Sequence, residues 1–346
     1  MSAHHLADLV TEAQRVAVIG LAKNTGKTRT LVALLAELHR RDRTVGLTSV
    51  GRDGEATDVV DPRITKPRIP LPPGGLVATA EPLLRAAGLP YEVVSRTGYS
   101  TPLGRTMIAR LPAGGAVEVA GPSSNRGTAE VTAAMREHGA DIVLVDGAIN
   151  RRAASSPAVA DLVLLATGAA LHTEFAQVVE QTVAAAEVFA LPCSGDPAVY
   201  SAAATAAGSV AITGSGAVVP VDRALTLGGA GADLSRLLAG PDGAQHVVLS
   251  GALCESFAEE IRRAARGRKV SLVVTDSSKV FLAQRTSDWY RRQNVSIEVQ
   301  KPTVLAAVSV NPVAPFSHRF DSVALRTELS ARLPGLYFCD LGPHVD

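Results

Sequence analysis

Short, unbroken aliphatic runs alternate along this chain with stretches whose apolar residues return every three or four positions. An unbroken run is what a strand covered on both faces of a parallel sheet requires. The three-to-four repeat belongs to a helix that covers one of those faces. By that criterion residues 16–19, 43–50, 106–111, 116–120, 141–146 and 161–166 read as strands. Residues 30–40, 81–88, 128–138 and 174–189 read as helices. The stretch 61–75, with five prolines and a Gly-Gly pair, reads as loop, and Pro-Ala-Gly-Gly at 112–115 suggests a hairpin between the strands on either side. Glycine, alanine and proline dilute the pattern between about 228 and 243. Beyond it, strands are expected at 246–249, 269–275 and 304–310, and helices at 256–265 and 322–333. The alternation predicts βαβ units. The expected fold is α/β, a doubly wound, mostly parallel sheet in residues 1–235, followed by a smaller α/β domain in residues 243–346.

Composition narrows the function classes. Hydrophobic residues make up 47% of the 346 but aromatics only 4%, so the core must be built from Ala, Val and Leu. The 34 basic side chains almost balance the 33 acidic ones. That balance leaves no electrostatic footprint for nucleic acid or an anionic membrane, so neither is expected as a partner. No stretch approaches the ~20 apolar residues of a membrane span. Before the first apolar run stand His4, His5, Asp8 and Glu12, which do not make a signal peptide. Cys193, Cys254 and Cys339 are odd in number and far apart, and the eight histidines show no metal-ligand spacing. A reduced, cytoplasmic setting is expected.

The strongest chemical signal follows the first strand. Residues 20–28 read Gly-Leu-Ala-Lys-Asn-Thr-Gly-Lys-Thr, between the run at 16–19 and the helical pattern at 30–40. Strand, glycine-bounded loop and helix is the context of a phosphate-binding P-loop. Successive backbone N–H groups of such a loop cradle phosphate oxygens, and the helix N-terminus adds the positive end of its dipole. Lys27 would reach the β- and γ-phosphates, and the Thr28 hydroxyl would hold Mg²⁺. Gly20, Lys23, Asn24, Thr25, Gly26, Lys27, Thr28 and Arg29 form the expected ATP-binding set. Five residues separate the two glycines, where the usual pattern has four. The Asn-Lys-x-Asp guanine-reading motif is absent, which favours ATP.

An NTPase also needs an acid beside the metal. Asp146 closes the apolar run at 142–145, and parallel strands deliver their C-terminal ends to one crevice. It is the candidate metal-shell and catalytic carboxylate, although a strand-terminal Asp also serves as a simple turn cap. Arg151, beside Arg152, is either a solvated loop residue or an internal arginine finger for the γ-phosphate. Gly-Pro-Ser-Ser-Asn at 121–125 follows a strand and either lines a substrate pocket or is a plain turn without function. Asp53, Glu55, Asp58 and Asp61 taken alone are a solvated acidic loop.

Two resemblances extend this picture. The five-residue spacing in 20–28 is similar to the loop of dethiobiotin synthetases. Gly-Arg-Asp-Gly-Glu at 51–55 with Asp-Val-Val-Asp-Pro at 58–62 resembles the segment after the second strand in cobyrinic and cobyric acid synthases. The likeness covers the first ~170 residues. It implies a fold of the P-loop NTPase type, with Asp53 near Mg²⁺ or the γ-phosphate, and an ATP-dependent ligase that activates a small carboxylate or carbamate. The chain departs from the synthases at Cys254, whose surroundings lack the second glycine of a glutaminase elbow and a downstream His-x-Glu partner. More specifically, the phrases at 18–28, 145–152 and 166–169 resemble reactivating factors of adenosylcobalamin-dependent lysine 5,6-aminomutase. That likeness implies ATP and Mg²⁺ as cofactors and a chaperone that acts on an aminomutase partner. A C-terminal domain without visible chemistry then suits docking or homodimerisation.

Overall fold

The computed structural model describes residues 2–51, 68–147, 152–206, 208–221, 231–239, 242–282, 285–315 and 318–342. It divides into two compact units, one made of residues 1–183 and 303–346, the other of residues 184–302.

The first unit begins with α1 (Ser2–Leu9), β1 (Arg15–Gly20), α2 (Lys27–Arg40) and β2 (Val45–Ser49). It continues through β3 (Ile69–Leu71), β4 (Leu76–Ala80), α3 (Glu81–Ala87), β5 (Glu92–Thr101), β6 (Gly104–Arg110) and β7 (Gly115–Val117). Then come α4 (Asn125–Glu137), β8 (Ile142–Asp146), β9 (Leu162–Gly168) and α5 (Phe175–Glu187), and the division between the units falls within α5. The second unit holds α6 (Pro197–Thr205), β10 (Val210–Thr213), β11 (Val218–Pro220), α7 (Gly231–Leu238) and β12 (Ala244–Leu249). β13 (Leu253–Cys254), α8 (Glu255–Ala265), β14 (Val270–Val274), β15 (Val280–Phe281), α9 (Ser287–Arg292) and β16 (Val295–Val299) complete it. The chain then returns to the first unit as β17 (Val304–Asn311), α10 (Ser322–Arg332) and β18 (Tyr337–Asp340).

Nine strands of the first unit form one sheet in the order β18-β17-β9-β1-β8-β2-β4-β6-β5. From β18 to β4 every pairing is parallel, and only β6 and β5 run against their neighbours. Alternate side chains of each strand serve opposite faces. Ile142 and Leu144 pack with Leu31, Leu34, Leu35 and Leu38 of α2, whereas Val143 packs with Val131 and Met135 of α4. The four leucines, spaced three, one and three apart, make the apolar stripe that seats α2 on the sheet. Each fully buried leucine contributes ~1.5–3 kcal/mol to that seating. Both faces are covered, as a doubly wound α/β sheet requires. The second unit has its own five-stranded sheet, β11-β10-β12-β14-β16, parallel from β12 to β16. α8 covers one face through Phe257 and Ile261, and α6 covers the other through Val199 and Ala202.

Two expectations are corrected. The strand at 304–310 does not belong to a separate C-terminal domain. It pairs in parallel with β9, and β18 pairs with it in turn, so the chain's last strands belong to the first unit's sheet. The glycine-rich stretch near 228–243 therefore lies inside the second unit, and the division 1–235/243–346 gives way to an inserted unit between two parts of the first. The hairpin expected around 112–115 is also different. β6 pairs with β5 and β4, while β7 pairs with β3, in the stretch read as loop. β5 escapes the pattern because it is an edge strand, half-exposed on both faces, and needs no apolar alternation.

Among the described residues no helix is long and apolar enough to cross a membrane.

Candidate functional site

β1 lies in the interior of the large sheet, between β8 on one side and β9 on the other. The chain leaves β1 for β2 on the β8 side, and β9 is laid down on the opposite side. β1 therefore ends at a point where the winding reverses, which is where open parallel sheets leave a crevice for ligands. The loop at 20–28 fills that position. Its start is tied to β9 by Leu21 N–H donating to Ala166 O at 3.0 Å. Inside the loop, the Thr25 hydroxyl donates to Ala22 O at 2.9 Å.

The loop turns into α2 through a left-handed backbone, with φ of 62° at Asn24 and 93° at Gly26. Asn is one of the side chains that tolerate this region, and Gly26 carries none. A Cβ on Gly26 would also stand 3.2 Å from the Cβ of Asn311. The first bond of the helix is Thr30 N–H to Gly26 O, 2.9 Å. The N–H groups of Lys27, Thr28 and Arg29 precede it, without a partner inside α2, and carry the positive end of the helix dipole. Lys23 and Asn24 are exposed, Thr25 is buried, and Gly26, Lys27, Thr28 and Arg29 are half-buried.

Asp146 ends β8 in register with Val18 of β1 and Ser49 of β2. Its carboxylate oxygen Oδ1 lies 2.9 Å from Lys27 Nζ, in an ion pair whose alignment is not that of a hydrogen bond. Lys27 Nζ donates instead to Gly147 O, also at 2.9 Å. Gly147 N–H donates to Val18 O at 3.0 Å, which fixes the turn after β8 against β1. The two residues singled out from sequence are thus brought together, each about one-fifth exposed to solvent. One ammonium, one carboxylate and a row of helix N–H groups stand together at this crevice, chemistry that can receive an anion.

Sequence reasoning missed the contribution of the last strands. Asn311 ends β17 in register with Gly168 of β9, and its Nδ2 donates to Asn24 O at 2.8 Å. Ser309 and Thr30 share a buried hydroxyl contact of 2.7 Å. Arg29, expected to bind cofactor, donates through Nε and Nη2 to Leu341 O at 3.2 and 2.8 Å. Gly168 has no room for a side chain, since a Cβ there would fall 1.9 Å from Asn311 O. The signal that could have found these contacts is the Asn-Pro pair at 311–312, which stops an apolar run as Asp146 stops its own.

On the other side of Asp146, the 121–125 segment is bonded to the end of β2. Gly121 N–H donates to Ser49 Oγ at 2.9 Å, and Gly51 N–H donates to Pro122 O at 2.7 Å. The Ser124 hydroxyl accepts from Gly127 N–H and caps α4, while Ser123 is exposed. Asp53 and Arg151 lie outside the described residues, as do Glu55, Asp58 and Asp61. Cys254 begins the segment leading into α8 and is half-buried. Comparison with known proteins gives no match to a family model, to a curated protein or to a solved structure.

Proposed function

We propose that this protein is an Mg²⁺-dependent, ATP-binding NTPase of the P-loop type, whose ATP turnover drives reactivation or remodelling of a partner enzyme, an adenosylcobalamin-dependent aminomutase. The observation that carries the nucleotide site is the meeting of Lys27 and Asp146 at 2.9 Å, at the mouth of α2 and beside β1. The loop amides and the α2 N-terminus receive the phosphates, and Lys27 neutralises the β/γ oxygens. Thr28 and Asp146 would hold Mg²⁺, which when bound neutralises charge shared between the β- and γ-phosphates. The aminomutase partner rests on the sequence phrases at 18–28, 145–152 and 166–169.

Calorimetry with Mg-ATP tests the site. Lys27→Ala should weaken binding by at least about a hundredfold, since it removes a charge-assisted contact to phosphate, and Thr28→Ala should abolish the benefit of Mg²⁺. Unchanged affinity in Lys27→Ala would make the loop a structural turn only. For the partner, the rate of ATP hydrolysis should rise when cobalamin-inactivated aminomutase is added.

A ligase is the second reading, supported by the wall that 121–125 builds against the end of β2, next to Asp146. A small carboxylate held there would face the γ-phosphate. Release of phosphate that depends on such an acid, and not on a protein partner, would select the ligase.

A further inference from the structure

We propose that Asn311 is a positioning residue of the nucleotide site, holding the 20–28 loop in its phosphate-receiving shape from a strand that follows an entire inserted unit. This rests on the phosphate-site reading above and deepens it. The left-handed turn at Asn24 to Gly26 sets the course of the loop's amides into α2. The one described side-chain bond to it from another strand is Asn311 Nδ2 to Asn24 O, 2.8 Å. Asn311 is itself fixed on three sides. Its carbonyl occupies the space over Gly168, its Oδ1 accepts from Val313 N–H at 3.2 Å, and its Cβ rests 3.2 Å from where a Gly26 side chain would begin. A carboxamide held this way transmits the position of β17 to the loop. Two residues away on the same strand, the Ser309 hydroxyl meets that of Thr30, within the first turn of α2, and serves as a structural comparison.

The amide bond shapes the cradle for phosphate and does not read the base. Asn311→Ala should therefore weaken ATP and inorganic tripolyphosphate alike, by about tenfold each, the scale of one lost hydrogen bond in a binding site. Ser309→Ala should lower the thermal midpoint of the unliganded full-length protein at least as far as Asn311→Ala does, with both affinities kept. Binding is read by calorimetry in Mg²⁺, well below the unfolding midpoint. If Asn311→Ala does not fold, Asn311→Asp keeps the acceptor for Val313 and removes the donor to Asn24. Measured at raised ionic strength to screen the added charge, it should show the same parallel loss. Loss of ATP binding with tripolyphosphate binding intact would overturn the proposal in favour of base recognition. Unchanged affinity for both would reduce Asn311 to packing, and the phosphate site would stand. Wild-type protein that binds neither probe would remove the phosphate site itself, and Asn311's role with it.

Discussion

At the scale of single residues, Asp146 holds the Lys27 ammonium that a nucleotide's phosphates would also need. Asp146→Asn keeps the volume and removes the carboxylate's claim on Lys27. We expect affinity for ATP in the absence of Mg²⁺ to rise a few-fold, the worth of about 1 kcal/mol for a partly exposed pair, while the gain from added Mg²⁺ disappears. Calorimetry with and without chelator reads both effects, and an unchanged Mg²⁺ dependence would take Asp146 out of the metal shell. The cysteines offer a separate test. Cys193 is exposed, whereas burial pushes the Cys339 thiol on β18 up to about 12, with the nearby Asp340 charge acting in the same direction. A thiolate-specific reagent at neutral pH should modify Cys193 in the native protein and reach Cys339 only after denaturation. Reaction of Cys339 at the native rate of Cys193 would show that β18 opens.

Between elements, α1 is held on α2 by a carboxylate with almost no exposure. Glu37 accepts from Arg41 Nε at 2.9 Å, from Arg40 and from His4 Nδ1 at 3.0 Å, and Arg41 also reaches Asp8 at 2.7 Å. Burial alone would raise the pKa of Glu37, but the bonds from Arg41, Arg40 and His4 outweigh it and hold the group at about 2, against an ordinary 4.5. A depressed carboxylate stabilises the fold above its unfolded value. That stabilisation is lost as pH falls from about 4.5 through about 2. Glu37→Gln should lower the urea midpoint at pH 7 and flatten the acid limb of the stability profile across that window. An identical acid limb in the variant would mean the network adds nothing. α2 itself was legible in advance because the spacing of its leucines and its glycine-bounded start both follow local rules. β3 and β5 were not, because their partners are chosen by tertiary pairing: Ile69 and Leu71 meet Val117 and Gly115 within a proline-rich stretch that carries no strand signal of its own. Asp146 could be placed from its own strand end, whereas Asn311 could not, since its role depends on which strand lies beside β9.

Across the whole molecule, the return of β17 and β18 to the large sheet changes what a truncation would do. On a two-domain division at 235/243, removing residues 243–346 would spare nucleotide binding. With β17 paired along the length of β9, the same deletion strips two strands and α10 from the unit that holds the loop. It should give insoluble or unfolded protein, read by solubility and circular dichroism. A folded, ATP-binding truncation would restore the original division. Residues 184–302, with their own sheet and core, should fold alone with one cooperative transition. Gly168→Ala offers a point version of the deletion. It forces a Cβ to within 1.9 Å of Asn311 O and should cost several kcal/mol by parting β9 from β17.

The order of the strands has a consequence for how the chain is made. Synthesis runs from the N-terminus, so β9, with Val163, Leu164 and Leu165 at its centre, leaves the ribosome more than a hundred residues before the strand that will pair with it. Until then it is an unpaired apolar edge, the kind of surface on which nascent chains stick to one another. If the intervening 184–302 unit folds as soon as it emerges, it reels in the slack between β9 and β17 and shortens the search each must make for the other. Variants that unsettle only that unit should then lower the yield of soluble protein during translation, even where the finished molecule, once assembled, is as stable at its phosphate loop as before.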